Sequence, residues 1–195
     1  MPKLGMEPIR RAALVKATID VIGSKGSLDV TVSQIAKQAG MSSALAHHYF
    51  GGKNQIFLAA MRAILRDFGV EVRDTLRAAH TPRGRAEALI AASFAPSCFD
   101  PATVSAWMTL YAQATTQPDM YRLLRLYQRR LHSNLTHALR PLSTSPVEDA
   151  TTLAALIDGL YLRAALARNN DPNSGPNTAH ATALRALDRL TGANA

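Results

Sequence analysis

The chain has 195 residues, of which 47% are hydrophobic and 18% are charged, a balance that permits a folded core and argues against global disorder. No apolar run approaches the roughly 18 residues that a membrane-spanning helix needs, and the opening M-P-K-L-G-M lacks the apolar stretch of a secretory signal. Because Cys98 is the single cysteine, an intrachain disulfide is excluded, and we expect a cytoplasmic protein.

Positive charge is concentrated near the N-terminus. The formal net charge is +8, and residues 1–53 hold seven lysines and arginines against three acidic residues. Every lysine of the chain lies in this segment. Such an excess attracts phosphate backbones or anionic membrane surfaces and does not by itself choose between them.

The first predicted elements are two helices. Apolar residues recur at helical spacing from Ile9 onward, which predicts a helix over 8–25 that stops at Gly26. The sequence T-V-S-Q at 31–34 has the form of a capping box, in which a hydroxyl and a glutamine side chain satisfy each other's backbone amides. It predicts a short second helix that ends before Gly40.

A third short helix and a long fourth one follow. Ser42 is the expected N-cap of a helix that ends near Phe50, and the glycine pair 51–52 breaks the chain. From Lys53 a long helix is predicted to about Ala79, with apolar side chains facing inward (Ile56, Phe57, Ala60, Ile64, Phe68 and Val72).

The rest of the chain is also predicted to be helical. Prolines and a polar loop at 169–176 divide it, and no segment alternates long enough to predict a sheet. The predicted helices lie at 83–95, 102–115, 119–140, 147–168 and 178–191. The expected fold class is all-α with about nine helices.

Residues 31–53 form the most informative stretch. Two short helices joined by a glycine-containing turn match a helix-turn-helix, in which the second helix presents its N-terminal residues to base edges in the major groove. Small or polar residues point outward on that helix: Ser42, Ser43, Ala44 and His47. Tyr49 and Lys53 are predicted to bind phosphate.

This stretch, with its H-Y-F ending, the glycine break and the lysine that opens a long helix, closely resembles the TetR family of bacterial repressors. The resemblance implies a DNA-binding domain over 1–53 and a helical ligand-binding and dimerisation domain over 54–195. It also implies that the DNA-contacting positions are Thr31, Ser33, Ser43, His47, Tyr49 and Lys53, with Ala44 and Leu45 as further carriers of specificity.

A narrower resemblance covers most of the chain. The segments M-P-K-L-G-M, Q-P-D-M-Y-R-L and A-A-L-I-D-G-L are similar to the BetI group of this family, choline-sensing repressors of genes that convert choline to glycine betaine. The resemblance implies release from a DNA operator by choline or a related quaternary ammonium compound. A TetR-type regulator of another pathway, such as efflux of cationic or hydrophobic compounds, stays open.

A quaternary ammonium group has no N–H to donate, so its receptor needs aromatic faces, to which one carboxylate can be added. Trp107 and Tyr111 lie four residues apart and therefore share a helical face. Further candidates are Phe94, Tyr127 and, as counter-charge, Asp158 inside an apolar run. The alternative is that the rings are ordinary core and that an arginine pairs with Asp158 (Arg129, Arg130 or Arg163).

The segment 147–168 is apolar on more than one face. One face can be buried within the chain, and the other needs a partner. In the TetR family that partner is the same helix of a second subunit, together with the final helix. We therefore expect a homodimer whose two heads meet successive major grooves of double-stranded DNA at a palindromic operator.

The sequence fits two other classes of protein, enzymes and membrane-surface proteins, less well. An enzyme is not expected, because the sequence has no G-x-S-x-G, no phosphate-cradling glycine loop and no Cys/His cluster at metal spacing, and neither a cofactor nor a metal is predicted. A basic, all-helical membrane-surface protein would need a helix with a lysine-rich polar face, whereas these lysines are scattered.

Overall fold

The computed structural model describes residues 5–25, 30–167 and 175–192. Over these ranges it is all-α, as predicted, without a strand. The helices are α1 (Met6–Lys25), α2 (Val32–Gln38), α3 (Ser43–Phe50), α4 (Lys53–Ala78), α5 (Pro82–Ser93), α6 (Pro101–Ala114), α7 (Pro118–Leu139), α8 (Pro146–Ala165) and α9 (Pro176–Thr191), with a 3-10 helix at Pro96–Phe99. No helix in the described part of the chain is both long and apolar enough to cross a membrane.

The last five helices begin at prolines, one or two residues earlier than the sequence predicts. A proline suits the first helical position because its missing N–H would have no intrahelical partner there and its φ is already helical. The helix α8 ends at Ala165, three residues before the predicted end at 168, and the amide of the C-cap Leu166 donates to the Leu162 carbonyl. The expected stop at Gly26 and most of the predicted loop 169–176 lie outside the described residues.

The chain divides into two compact units. The first comprises residues 1–66 and 100–124, and it contains α1 to α3, the first part of α4, α6 and the start of α7. Within it α1 packs on α2 and on α6. Gly23 permits a close approach of α1 to α6, because a Cβ at this position would lie 2.5 Å from the Cβ of Ala102.

The second unit comprises residues 67–99 and 125–195. Here α8 packs on α9, and α5 packs on both. Arg83 of α5 pairs with Asp188 of α9 and, at 2.7 Å, with Glu87. The helices α4 and α7 each contribute residues to both units.

Candidate nucleic-acid interface and effector site

The predicted capping box at the start of α2 is confirmed. The amide nitrogen of Gln34 donates to Oγ1 of Thr31 over 3.2 Å, and Oε1 of Gln34 accepts from the Thr31 amide over 2.9 Å. Capping uses only a lone pair of the threonine oxygen, so its hydroxyl hydrogen can still be donated to an external acceptor such as a phosphate.

A tight glycine turn connects α2 to α3. Gly40 has a φ of +66°, which favours glycine, and the Met41 amide donates to the Ala36 carbonyl over 2.8 Å. Ser42 caps α3 by accepting from the Leu45 amide over 3.2 Å. The turn and both N-caps therefore follow from residues close together in sequence.

The predicted DNA-contacting residues lie in or next to α2, α3 and the start of α4, and each of them is at least partly exposed. The side chains of Thr31, Ser33, Ser42, Ala44 and His47 are exposed, and those of Ser43, Tyr49 and Lys53 are half-buried. The single buried residue of α3 is Ala46, a position to which the sequence assigns no role.

Two hydrogen bonds orient side chains on this surface. The hydroxyl of Ser33 on α2 donates to that of Ser43 on α3 over 3.1 Å. His47 has its Nδ1 3.1 Å from the carbonyl oxygen of Gly51. Because a carbonyl can only accept, Nδ1 carries the hydrogen, and Nε2 is the ring nitrogen that can meet an external group.

One pair of the predicted effector residues lies in the first unit. The rings of Trp107 and Tyr111, both on α6, have centroids 5.8 Å apart with 32° between their planes. Trp107 is buried and Tyr111 is half-buried. The two rings therefore share one face of α6, as their spacing predicts.

The other three predicted effector residues lie in the second unit. Tyr127 on α7 donates its hydroxyl to Oδ1 of Asp158 on α8 over 3.0 Å. The ring of Phe68 on α4 is 6.2 Å from that of Tyr127, centroid to centroid. Phe94 is buried and its ring is 6.3 Å from that of His180. The structure thus brings Tyr127 and Asp158 together and adds Phe68, which the sequence identifies only as an apolar core position.

Asp158 has an unusual environment for a carboxylate. Burial raises its pKa above the ordinary aspartate value, and the hydrogen bond from Tyr127 lowers it to a smaller extent. The three candidate arginines, Arg129, Arg130 and Arg163, have exposed side chains, and none of the ion pairs within the described ranges includes them or Asp158. A phenol hydroxyl therefore takes the place expected for an arginine.

Two family models match separate parts of the chain. Residues 14–60 match the family model for bacterial regulatory proteins of the TetR family. Residues 82–192 match the model for the C-terminal part of BetI-type transcriptional repressors. The HTH-type transcriptional regulator BetI of Brucella anthropi is 50% identical over 188 residues, which cover 94% of this chain and 93% of that protein. BetI of Rhizobium meliloti is 49% identical over 170 residues, covering 85% and 83%.

Solved structures share the fold at lower identity. A TetR transcription regulator from Haloarcula marismortui superposes with a TM-score of 0.81 at 21% identity, covering 94% of this chain and 98% of that one. A regulator from Saccharomonospora viridis, solved in complex with choline, has a TM-score of 0.77 at 19% identity and covers 91% and 95%. The relatives are regulators, so the expectation that the chain is not an enzyme is confirmed. The chain belongs to the TetR family and is a transcriptional repressor of the BetI type.

Proposed function

We propose that the chain is a homodimeric repressor that binds a palindromic operator through α3 and is released by choline or a related quaternary ammonium compound, thereby controlling genes of glycine betaine synthesis. The ligand assignment depends on the carboxylate of Asp158, which accepts a hydrogen bond from the Tyr127 hydroxyl beside the ring of Phe68.

The chemistry of this cluster suits a quaternary ammonium. Each aromatic face attracts such a cation by about 0.5–2 kcal/mol. A half-buried carboxylate without a cationic partner has a desolvation cost in the free protein. A quaternary ammonium nitrogen carries no N–H, so it neutralises Asp158 without competing with the Tyr127 hydroxyl for the carboxylate oxygen. The similar regulator of Saccharomonospora viridis was solved with choline, which supports the same ligand class here.

The DNA-binding half of the proposal is supported by the surface of α3. Small side chains at Ser43 and Ala44 allow the helix backbone to approach the groove floor, while hydroxyls and the Nε2 of His47 can meet bases or phosphates. The concentration of lysines in residues 1–53 supplies the attraction to phosphate.

Dimerisation is proposed through α8 and α9. The side of α8 that packs within its own unit is buried at Leu153, Ile157 and Tyr161. A second side carries an exposed stripe of small residues at Thr152, Ala155 and Gly159, and a Cβ at Gly159 would meet no atom within 4 Å. A glycine inside a helix costs about 1 kcal/mol relative to alanine, and close contact with a second subunit's helix would offset that cost.

Release is proposed as a shift of population. In the DNA-binding state, the two heads bind operator half-sites roughly 34–36 Å apart. A ligand that binds more tightly to a state with a different head spacing lowers the operator affinity, and the ratio of its affinities for the two states limits the size of this effect. The helix α4 begins at Lys53 and contributes to both units, which makes it the natural element for this coupling.

Fluorescence anisotropy tests the proposal. A labelled duplex from the DNA upstream of the chain's own reading frame is bound by the full chain and titrated with choline, betaine aldehyde, glycine betaine and tetraphenylphosphonium. Choline or betaine aldehyde should release the DNA, and Asp158→Asn should blunt that release. Asp74→Asn, the same change at an exposed aspartate of α4, is the control.

The titration also separates the two ligand classes. Release by tetraphenylphosphonium but not by choline would favour the regulator of cation efflux instead. A wild-type chain that does not distinguish this duplex from a scrambled one would contradict the choice of operator.

A further inference from the structure

Arg11 of α1 reaches the C-terminal end of α3. Its Nη1 donates to the backbone carbonyl of Tyr49 over 2.6 Å, and its guanidinium carbon lies 4.5 Å from the centroid of the Phe50 ring. The same Nη1 lies 3.5 Å from Oε1 of Glu7, one turn earlier on α1. All four residues belong to the first unit.

The contact with Arg11 provides a hydrogen-bond donor at the C-terminal end of a short helix. The last four carbonyls of any helix lack intrahelical partners, and the negative end of the helix dipole favours a cation. The helix α3 has only eight residues, too few for a stable helix by itself. The Gly51 amide satisfies the His47 carbonyl over 2.7 Å, and Arg11 satisfies the carbonyl of Tyr49.

As a result α3 is fastened at both ends to different helices. At its N-terminus, the Ser33 hydroxyl links α2 to Ser43. At its C-terminus, Arg11 links α1 to the last turn. A rigid pose matters for base readout, because hydrogen bonds to base edges weaken steeply with distance and angle.

We infer that Arg11 is a positioning residue for operator recognition: it holds the last turn of α3 in place from α1 and does not act as a phosphate ligand. Glu7 offsets its charge, and the carbonyl of Tyr49 and the Phe50 ring hold the guanidinium against the protein. This inference rests on the proposed operator binding by α3.

The test compares Arg11→Gln and Arg11→Lys with Arg10→Gln, which removes a neighbouring charge of the same helix. Affinities for the operator and for a scrambled duplex are measured over a range of salt concentrations. We expect Arg11→Gln to lower operator affinity about tenfold relative to Arg10→Gln, to change scrambled-duplex affinity by less than twofold, and to leave the salt slope unchanged. Arg11→Lys, which keeps a cationic donor, should recover part of the loss.

Two results would overturn the inference. Equal losses on both duplexes, with a salt slope reduced by about 0.9, would identify Arg11 as a phosphate ligand. Unchanged operator affinity would remove it from recognition altogether.

Amide hydrogen exchange measured without DNA tests the contact between Arg11 and α3 independently of the proposed operator binding. Arg11→Gln should accelerate exchange at the amides of Tyr49, Phe50 and Gly51 and leave those of α4 unchanged, whereas Arg10→Gln should not. If the wild-type chain fails to bind the operator while this difference is seen, the proposed operator fails and the fastening of α3 stands. Equal exchange in Arg11→Gln and Arg10→Gln would refute the fastening.

Discussion

Tyr127 on α7 donates its hydroxyl to Oδ1 of Asp158 on α8 over 3.0 Å, and this bond joins positions 31 residues apart in sequence. The donor is neutral, so it orients the carboxylate without cancelling its charge. The hydrogen bond from Tyr127 lowers the pKa of Asp158, but burial raises it by more, so the pKa lies above the ordinary aspartate value. A cationic ligand would supply the missing charge.

The first prediction concerns stability without ligand. Because the pKa of Asp158 is raised in the folded chain, the folded state holds this proton more tightly than the unfolded state. The stabilisation that this proton provides is complete below the pKa of the unfolded chain, about 3.9. It is lost as the pH rises through the pKa of Asp158 in the folded chain. Asp158→Asn should therefore unfold at higher temperature than wild type at pH 7, and the difference should shrink towards pH 4.

Thermal unfolding followed by circular dichroism measures this effect. Asp74→Asn should show no comparable gain, because that side chain is exposed. A lower melting temperature for Asp158→Asn at pH 7 would mean that the carboxylate stabilises the free protein and has a structural role.

The second prediction concerns ligand affinity. Choline keeps its charge at every pH, so only the protein's ionisation can change its binding. Affinity should fall as the pH drops through the raised pKa of Asp158, and Asp158→Asn should bind weakly with little pH dependence. Isothermal titration calorimetry from pH 7 down towards pH 4 checks this. An affinity in wild type that does not vary with pH would count against a carboxylate ligand.

The third prediction uses the single tryptophan. Trp107 stacks near Tyr111 on α6 and is buried, so a ligand at these rings should change its fluorescence. Trp107→Phe keeps an aromatic core residue and avoids the roughly 3–5 kcal/mol cost of truncation to alanine. Operator affinity should persist while release by choline needs more ligand. Unaltered release would exclude this pair from the effector site.

The fourth prediction concerns phosphate contacts. Lys53→Ala and Tyr49→Phe should weaken binding to all duplexes, operator and scrambled alike. Loss of the lysine should also reduce the slope of log affinity against log salt by about 0.9. Gel shifts at several salt concentrations measure both. Lys16→Ala, an exposed lysine of α1, is the charge-matched control, and a slope that did not differ from this control would contradict phosphate binding by Lys53.

The fifth prediction concerns the dimer. Gly159→Leu places a bulky side chain on the exposed stripe of α8, and it should convert a dimer into a monomer at micromolar concentration. Leucine is the better helix former by about 1 kcal/mol, so helix content should not fall. Arg73→Leu, on the exposed surface of α4, serves as control. Sedimentation velocity distinguishes the outcomes, and a wild-type monomer would refute the proposed interface.

Local signals were sufficient to predict most of the helices. The capping box at Thr31, the N-cap at Ser42 and the glycine turn at Gly40 all appear where their residue types indicate. Helix starts at prolines were displaced by one or two residues, because a proline both interrupts one helix and opens the next. These features involve residues within about four positions of one another.

Tertiary contacts decided the composition of the candidate sites. Residue types alone offered three arginines for Asp158, whereas in the folded chain the side chain that reaches it from α7 is Tyr127. Nothing near Arg11 in sequence indicates that it reaches Tyr49, 38 residues away. Helix periodicity and capping are short-range effects that the sequence encodes directly. A partner across two helices depends on how side chains interlock in three dimensions, which only the folded chain determines.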